Sequence, residues 1–258
     1  MNNECYTINN WSVIQIVGPN GAGKTLFACR LLSSKKAFPF PIKEIHWHSG
    51  IKEGEAGETL ERLKKLKQVH FNFAFPKGWM DKPQKHDAIV IDDLFEEANK
   101  EATTFNQLFT KVARHREVTV LFLTQNLFHQ GGKHRTRNIN THYLVLFKNP
   151  RDKTVIDYIA RQAYPNNRKF LMNAYHDATD DKPHGYLFLD FTQQCPESLR
   201  VKTDIFNKKY GSTIYKQETK KKKKMEHWSN VEKKHSKINR KITSISPYSS
   251  KITKREER

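Results

Sequence analysis

An α/β fold, with a mainly parallel central sheet flanked by helices and a basic tail behind it, is what the sequence predicts. Three observations predict it. Short apolar, β-branched runs alternate with polar stretches of helical periodicity over roughly 150 residues, the pattern of strands joined by crossover helices. A glycine-rich octapeptide, residues 18–25, lies between the first such strand and the first such helix. After Tyr215 the composition turns lysine-rich and poor in large apolar side chains, which leaves too little apolar surface to pack.

The elements follow in order. Residues 11–17 (WSVIQIV) are apolar on both faces, as a strand inside a parallel sheet must be. Residues 26–32 fit the helix after the glycine turn. Residues 44–48 (EIHWH) alternate weakly and give a second strand, 50–57 a loop, and 58–67 a helix with Leu60, Leu63 and Leu66 at helical spacing. Residues 69–75 alternate as a short strand. Residues 88–91 (AIVI) are a buried strand that runs straight into Asp92 and Asp93. Residues 102–115 fit a helix with Phe105, Leu108, Phe109 and Val112 on one face. Residues 118–123 and 141–147 are strands, 152–162 a helix, and 185–191 (GYLFLDF) a final strand. This gives a body over residues 1–215 and a tail over 216–258, expected to be disordered unless bound. No internal repeat is visible, so a solenoid is not expected.

The 258 residues carry 46 Lys and Arg against 27 Asp and Glu, a formal charge of +19. The tail holds 15 of the former and 5 of the latter. It therefore concentrates about half of the excess charge, and blocks of like charge bind nucleic acid or acidic surfaces. Three scattered cysteines, Cys5, Cys29 and Cys195, give no disulfide framework. The longest apolar stretches, such as residues 144–147, fall far short of the roughly 20 residues of a spanning helix, so no membrane association is expected. The first four residues are polar and acidic, unlike a signal peptide. A reducing intracellular compartment is the natural expectation.

Gly18, Pro19, Asn20, Gly21, Ala22, Gly23, Lys24 and Thr25 match G-x-x-x-x-G-K-[ST] without a mismatch. Glycines let successive backbone N–H groups turn inward around a phosphate, and the following helix adds its positive end. Lys24 supplies a point charge to the β- and γ-phosphates of ATP, and the Thr25 hydroxyl is a Mg²⁺ ligand. In such a sheet the strand ending in Asp92 and Asp93 places carboxylates beside the phosphates. Asp92 is expected on magnesium and Asp93 on the attacking water; both could instead cap the next helix. The strand 118–123 ends in Thr124, Gln125 and Asn126. Gln125 can sense a γ-phosphate and position water, or simply mark a solvated strand end.

Arg114 and Arg116, and Arg135 and Arg137 in a basic loop at residues 129–140, can serve as charge-stabilising guanidinium groups or as a DNA-facing surface. Arg151 is a further possibility, or a turn-stabilising ion pair. His46 and His48 point the same way on a strand, but two ligands do not make a zinc site, so packing or surface roles are expected. Cys195 has no evident base partner. Trp228, amid the tail lysines, could stack on a base.

Residues 18–25, then Ile89, Val90, Ile91, Asp92 and Asp93, then the run from Leu121 to Asn126, resemble the three core motifs of viral genome-packaging ATPases of the FtsK/HerA type, the poxvirus-like and Polinton-like packaging ATPases among them. The resemblance covers roughly residues 11–150. It implies a RecA/FtsK-like P-loop fold and ATP hydrolysis with Mg²⁺, coupled to pulling double-stranded DNA into a capsid. It also implies a homo-oligomeric ring and a capsid or portal protein as partner. By motif position it implies Lys24 and Thr25 at the phosphates and metal, Asp92 supporting the metal, Asp93 the water, and Gln125 sensing the γ-phosphate. Where that family often shows Glu, this chain has the shorter Asp93. Other readings share these motifs: a P-loop helicase, a phage-type assembly ATPase, a small-molecule kinase whose lid the 131–137 loop would mimic, or a non-hydrolysing nucleotide-dependent DNA-binding protein. The five lysines at 220–224 also resemble a nuclear localisation signal, so the host nucleus and a cytoplasmic assembly site are both expected locations.

Overall fold

β1 (Val13–Val17) is buried at all five positions because it has a parallel neighbour on each edge and apolar cover on both faces. The computed structural model describes residues 7–50, 61, 68–73, 84–94, 100, 102–127, 140–207, 209 and 211–217. All of these but Gln217 belong to one compact unit, residues 1–216. Its strands continue as β2 (Ile45–Ser49), β3 (Val69–Asn72), β4 (Ala88–Asp92), β5 (Thr119–Thr124), β6 (Tyr143–Phe147), β7 (Tyr186–Asp190), β8 (Val201–Thr203) and β9 (Thr213–Tyr215). They form one sheet in the order β3-β2-β4-β5-β1-β6-β7-β8-β9. The six strands β1–β6 are mutually parallel and β7–β9 are added antiparallel, so the sheet is mainly parallel.

Alternation along the strands divides the core. Ile14, Ile16, Trp47, Val90, Leu121 and Phe147 face α1 (Lys24–Leu32), whose Phe27 and Leu31 pack among them. On the other face, Val13, Ile89, Ile91 and Phe122 meet Phe105, Leu108, Phe109 and Val112. That helical stretch is not uniform: α2 (Ala102–Gln107) passes through a π-helical turn (Leu108–Val112) into α3 (Ala113–His115). Further along the same face, α4 (Thr154–Ala163) and α5 (Arg168–Thr179) cover Leu144, Leu146, Leu187 and Leu189.

Most expected elements fall within a residue or two of their observed places; the strand expected over 69–75 ends at Asn72, and three further points bear on the fold. The helix after the glycine turn begins at Lys24, two residues earlier than expected, because the loop feeds it without a break. Residues 185–191 hold β7 but not the final strand: β8 and β9 follow, each three residues long, β8 paired between β7 and β9 and β9 at the sheet edge. The helix α5 was not among the expected elements, although Leu171, Ala174, Tyr175 and Ala178 give it a buried stripe. All of the expected 50–57 loop but Gly50, and nearly all of the 58–67 helix, lie outside the described residues, as do Arg135 and Arg137, Trp228 and the lysine run.

Candidate active site

Parallel strands end on one edge, and the three sequence motifs all sit at strand C-termini, so the sheet brings them together. β5 lies between β1 and β4 and ties both to itself: the Gly18 N–H donates to the Thr124 carbonyl at 3.1 Å, and the Asp93 N–H donates to the Leu123 carbonyl at 3.4 Å. Cradle, carboxylates and Gln125 therefore share one rigid edge.

The loop between β1 and α1 has the backbone that its glycines allow. Gly23 has φ 104°, in the left-handed region, and Gly18 lies so close to β6 that a Cβ on it would come 2.7 Å from the Phe147 Cβ. No side chain caps α1 and its first turn holds no acidic residue, which leaves the positive end of the helix to an anion. Lys24 is 9% exposed and its ammonium donates to the carbonyls of Gly18 at 2.8 Å and Pro19 at 3.1 Å. Burial lowers its pKa, with Asp92 and Asp93 opposing that shift.

The Thr25 hydroxyl donates to the Asp92 carboxylate at 3.3 Å. Asp92 is 4% exposed. Burial, and secondarily Asp93, pushes its carboxyl up to about 6, against the pull of Lys24 and Thr25. Paired hydroxyl and carboxylate oxygens beside a phosphate cradle are the hard donor set that magnesium takes, and a buried carboxylate raised by desolvation gains most from a cation. These residues fit Mg²⁺ and a nucleotide.

Asp93 leaves the strand with φ 55°, a left-handed conformation that Asp tolerates but that is rare at a non-glycine residue. The kink turns its exposed side chain to Gln125, whose amide donates to the Asp93 carboxylate at 3.1 Å. Gly50, at the end of β2, makes room for this bend; a Cβ there would lie 2.5 Å from the Asp93 carbonyl oxygen. Thr124, buried beside them, is occupied locally with the backbone of Asn126.

Several residues stand elsewhere than expected. Arg114 and Arg116 precede β5, whereas Gln125 follows it, so the six-residue strand places them at the opposite edge of the sheet, roughly 20 Å away. The turn after β6 is held by the Asn149 side chain, which accepts from the N–H groups of Arg151 and Asp152. No ion pair of Arg151 occurs among the described residues. The Cys195 thiol is pushed up to about 11 by burial and Asp190, which favours the protonated thiol at neutral pH. His48 is buried on β2, while His46 faces Glu44 and Asp87 at the other end of that strand.

One residue at the cradle carries no motif signal. His184, in the turn between α5 and β7, donates through Nδ1 to the Ala22 carbonyl at 3.0 Å and lies against Gly23. It braces the loop from a position about 160 residues downstream, which only the tertiary fold connects.

No family model and no curated protein matches the chain. Among solved structures it is similar to B204, the DNA-packaging ATPase from Sulfolobus turreted icosahedral virus, at 12% identity over 82% of this chain and 100% of that one, with a TM-score of 0.49. It is similar to the genome packaging NTPase B204 from Sulfolobus turreted icosahedral virus 2 in complex with AMPPCP at 11% identity, over 82% of this chain and 100% of that one, TM-score 0.49. A KaiC-like protein from Pyrococcus horikoshii OT3 is 11% identical over 80% of this chain and 90% of that one, TM-score 0.39. With β5 inserted between the strand that feeds the cradle and the strand that carries the carboxylates, the chain has a RecA-like P-loop fold.

Proposed function

We propose that the chain is an ATP-hydrolysing motor that translocates double-stranded DNA, working as a homo-oligomeric ring that packages a viral genome into a capsid through a capsid or portal protein. The observation that carries the hydrolytic part is the Gln125–Asp93 contact beside the Lys24, Thr25 and Asp92 cluster. A protein that only held nucleotide would need Lys24 but neither of those two side chains. The packaging part is supported by the resemblance of the three motifs, and the DNA partner by the excess of basic residues in both body and tail.

In this reading the cradle amides and Lys24 bind and orient the β- and γ-phosphates. Thr25 and Asp92 hold Mg²⁺, which when bound neutralises charge on those phosphates. Asp93, exposed and with no backbone hydrogen bond to its carboxylate among the described residues, accepts a proton from water aligned with the γ-phosphorus. Gln125 fixes the rotamer of Asp93 through its amide and keeps its own carbonyl oxygen for that water or its amide for phosphate. Because Gln125 directly follows β5, and β5 is bonded to both neighbouring motif strands, a change at the γ-phosphate is passed in this proposal toward the basic loop at residues 129–140, which grips DNA. The site of action is intracellular, at the host nucleus or a cytoplasmic assembly site.

The test is ATP hydrolysis by the full chain with and without long duplex DNA, at low and moderate salt. Duplex-stimulated turnover that is lost in Lys24→Ala, and lost with nucleotide affinity retained in Asp93→Asn, is the expected result. Turnover indifferent to DNA but stimulated by a nucleoside monophosphate would overturn it in favour of a kinase. Tight nucleotide binding with no turnover, unaltered by Asp93→Asn, would overturn it in favour of a structural binder.

A further inference from the structure

At the edge of the sheet opposite the cradle, four side chains with metal-ligand chemistry converge from three strands. Glu44 immediately precedes β2, His46 lies in it, His70 lies in β3, and Asp87 immediately precedes β4. The parallel register pairs His46 with His70 and Ile45 with Ala88, which sets Glu44 beside Asp87; the Ala88 N–H donates to the Glu44 carbonyl at 2.9 Å. Residues two apart on a strand share a face, so all four lie on one side of the sheet.

We propose that Glu44, His46, His70 and Asp87 form a binding site for a first-row divalent cation, with zinc the preferred ion. Glu44, His46 and Asp87 each offer a ligand atom within 4.8 Å of the others. His46 Nε2 lies 3.4 Å from Asp87 Oδ2 and 4.0 Å from Glu44 Oε2, and His70 Nε2 lies 3.3 Å from Glu44 Oε2. Ligand atoms about 2.0–2.1 Å from a tetrahedral zinc stand roughly 3.3 Å apart, so Glu44, His46 and Asp87 need only rotamer-scale adjustment, and the exposed His70, already against Glu44, turns its ring in as the fourth ligand. The two imidazoles stack at 5.3 Å between centroids, which presents their nitrogens side by side.

Charge is the second, independent argument. Asp87 is 1% exposed, and its Oδ1 has no hydrogen-bond partner, while Oδ2 accepts the Gln84 N–H at 2.7 Å. No lysine or arginine among the described residues pairs with Glu44 or Asp87; only the two histidines do. A buried carboxylate with an open oxygen and no fixed cation is costly, and a bound dication supplies what is missing. The donor set of two imidazoles and two carboxylates separates this site from the nucleotide site. Nitrogen ligands suit zinc and the later transition ions, whereas magnesium takes oxygen and keeps its water. A cation there joins β3, the edge strand, to β2 and β4 by ligand bonds, in addition to its backbone pairing with β2 and the packing of Val69 and Phe71.

The experiment uses the full chain after chelator treatment and dialysis, titrated with Co²⁺ and followed by its visible ligand-field absorption, with Zn²⁺ as competitor. One equivalent giving the intense bands of tetrahedral cobalt, displaced by zinc, is expected. Affinity falls at least about tenfold in His46→Gln and in His70→Gln, and is unchanged in Lys24→Ala. His70 is exposed, so its variant keeps the fold, which far-UV circular dichroism verifies. Zinc at about 100 times its Kd raises the unfolding midpoint by roughly 5–10 °C in the parent, and the same zinc concentration raises it by about half as much or less in His70→Gln. Bands that persist unchanged in both histidine variants, or the absence of any stoichiometric cobalt or zinc, would overturn the proposal.

Discussion

Asp92 binds its proton more tightly folded than unfolded, since burial raises it from an ordinary 3.8 to about 6. Its contribution to stability is therefore most favourable at acid pH and is lost as pH rises from about 4 to 6, by on the order of 3 kcal/mol in the metal-free protein. Other carboxylates titrate in the same range, so the readout is a difference. Urea unfolding in EDTA should show Asp92→Asn gaining stability over the parent at pH 7 and little at pH 4, while its Mg²⁺-nucleotide affinity collapses. Equal differences at both pH values would remove burial of charge as the cause. At the cradle, His184→Ala should weaken nucleotide binding by a few-fold at most, because it removes one hydrogen bond of about 1 kcal/mol from the loop and touches none of the phosphate donors; a calorimetric titration reads it. The cradle itself was legible because its parts lie within eight consecutive residues and each is dictated by phosphate chemistry. His184 was not, nor was the company His46 keeps: Glu44 is near in sequence, but His70 and Asp87 arrive from other strands through pairing that no local pattern encodes.

Helix and strand positions were legible where apolar periodicity ran long enough. Phe105, Leu108, Phe109 and Val112 read as one helical face and are one buried face, yet the π-helical turn that carries three of them leaves no mark in composition. Phe105→Ala opens a void among Phe109 and Phe122 and should cost about 3–5 kcal/mol, seen as a lower urea midpoint with an unchanged slope. The short antiparallel strands β8 and β9 were illegible, since three residues cannot display a period. The end of β2 carries a sharper prediction. Gly50→Ala forces a methyl against the Asp93 carbonyl and Leu94, displacing the bend that aims Asp93. The expected result is a fall in kcat of roughly 10- to 100-fold with nucleotide affinity nearly kept. Steady-state kinetics beside a binding titration checks it, and a parallel loss of both would place the damage in the fold instead.

For the molecule as a whole, charge and sheet order matter most. The sequence carries +19, and the 15 lysines and arginines of the tail make its share of DNA binding measurable. Each phosphate neutralised adds about 0.9 to the slope of log affinity against log salt. Removing residues 216–258 should flatten that slope by roughly 3 or more and leave DNA-independent hydrolysis as it was; an unchanged slope assigns DNA contact to the body alone. That the sheet would be mainly parallel was legible from the alternation of strands and helices. Its order was not, because placing β5 between β1 and β4 depends on packing across both faces at once. That order also has a consequence for biosynthesis. β1 is complete by residue 17, but the strands that flank it end at residues 124 and 147. At 5–20 residues per second, the ribosome delivers the second of these on the order of ten seconds after the first strand emerges. Until residue 124 is made the apolar ribbon has two bare edges, and until residue 147 it still has one. The nascent chain must be kept from pairing with its neighbours on the polysome until its own partners have been made.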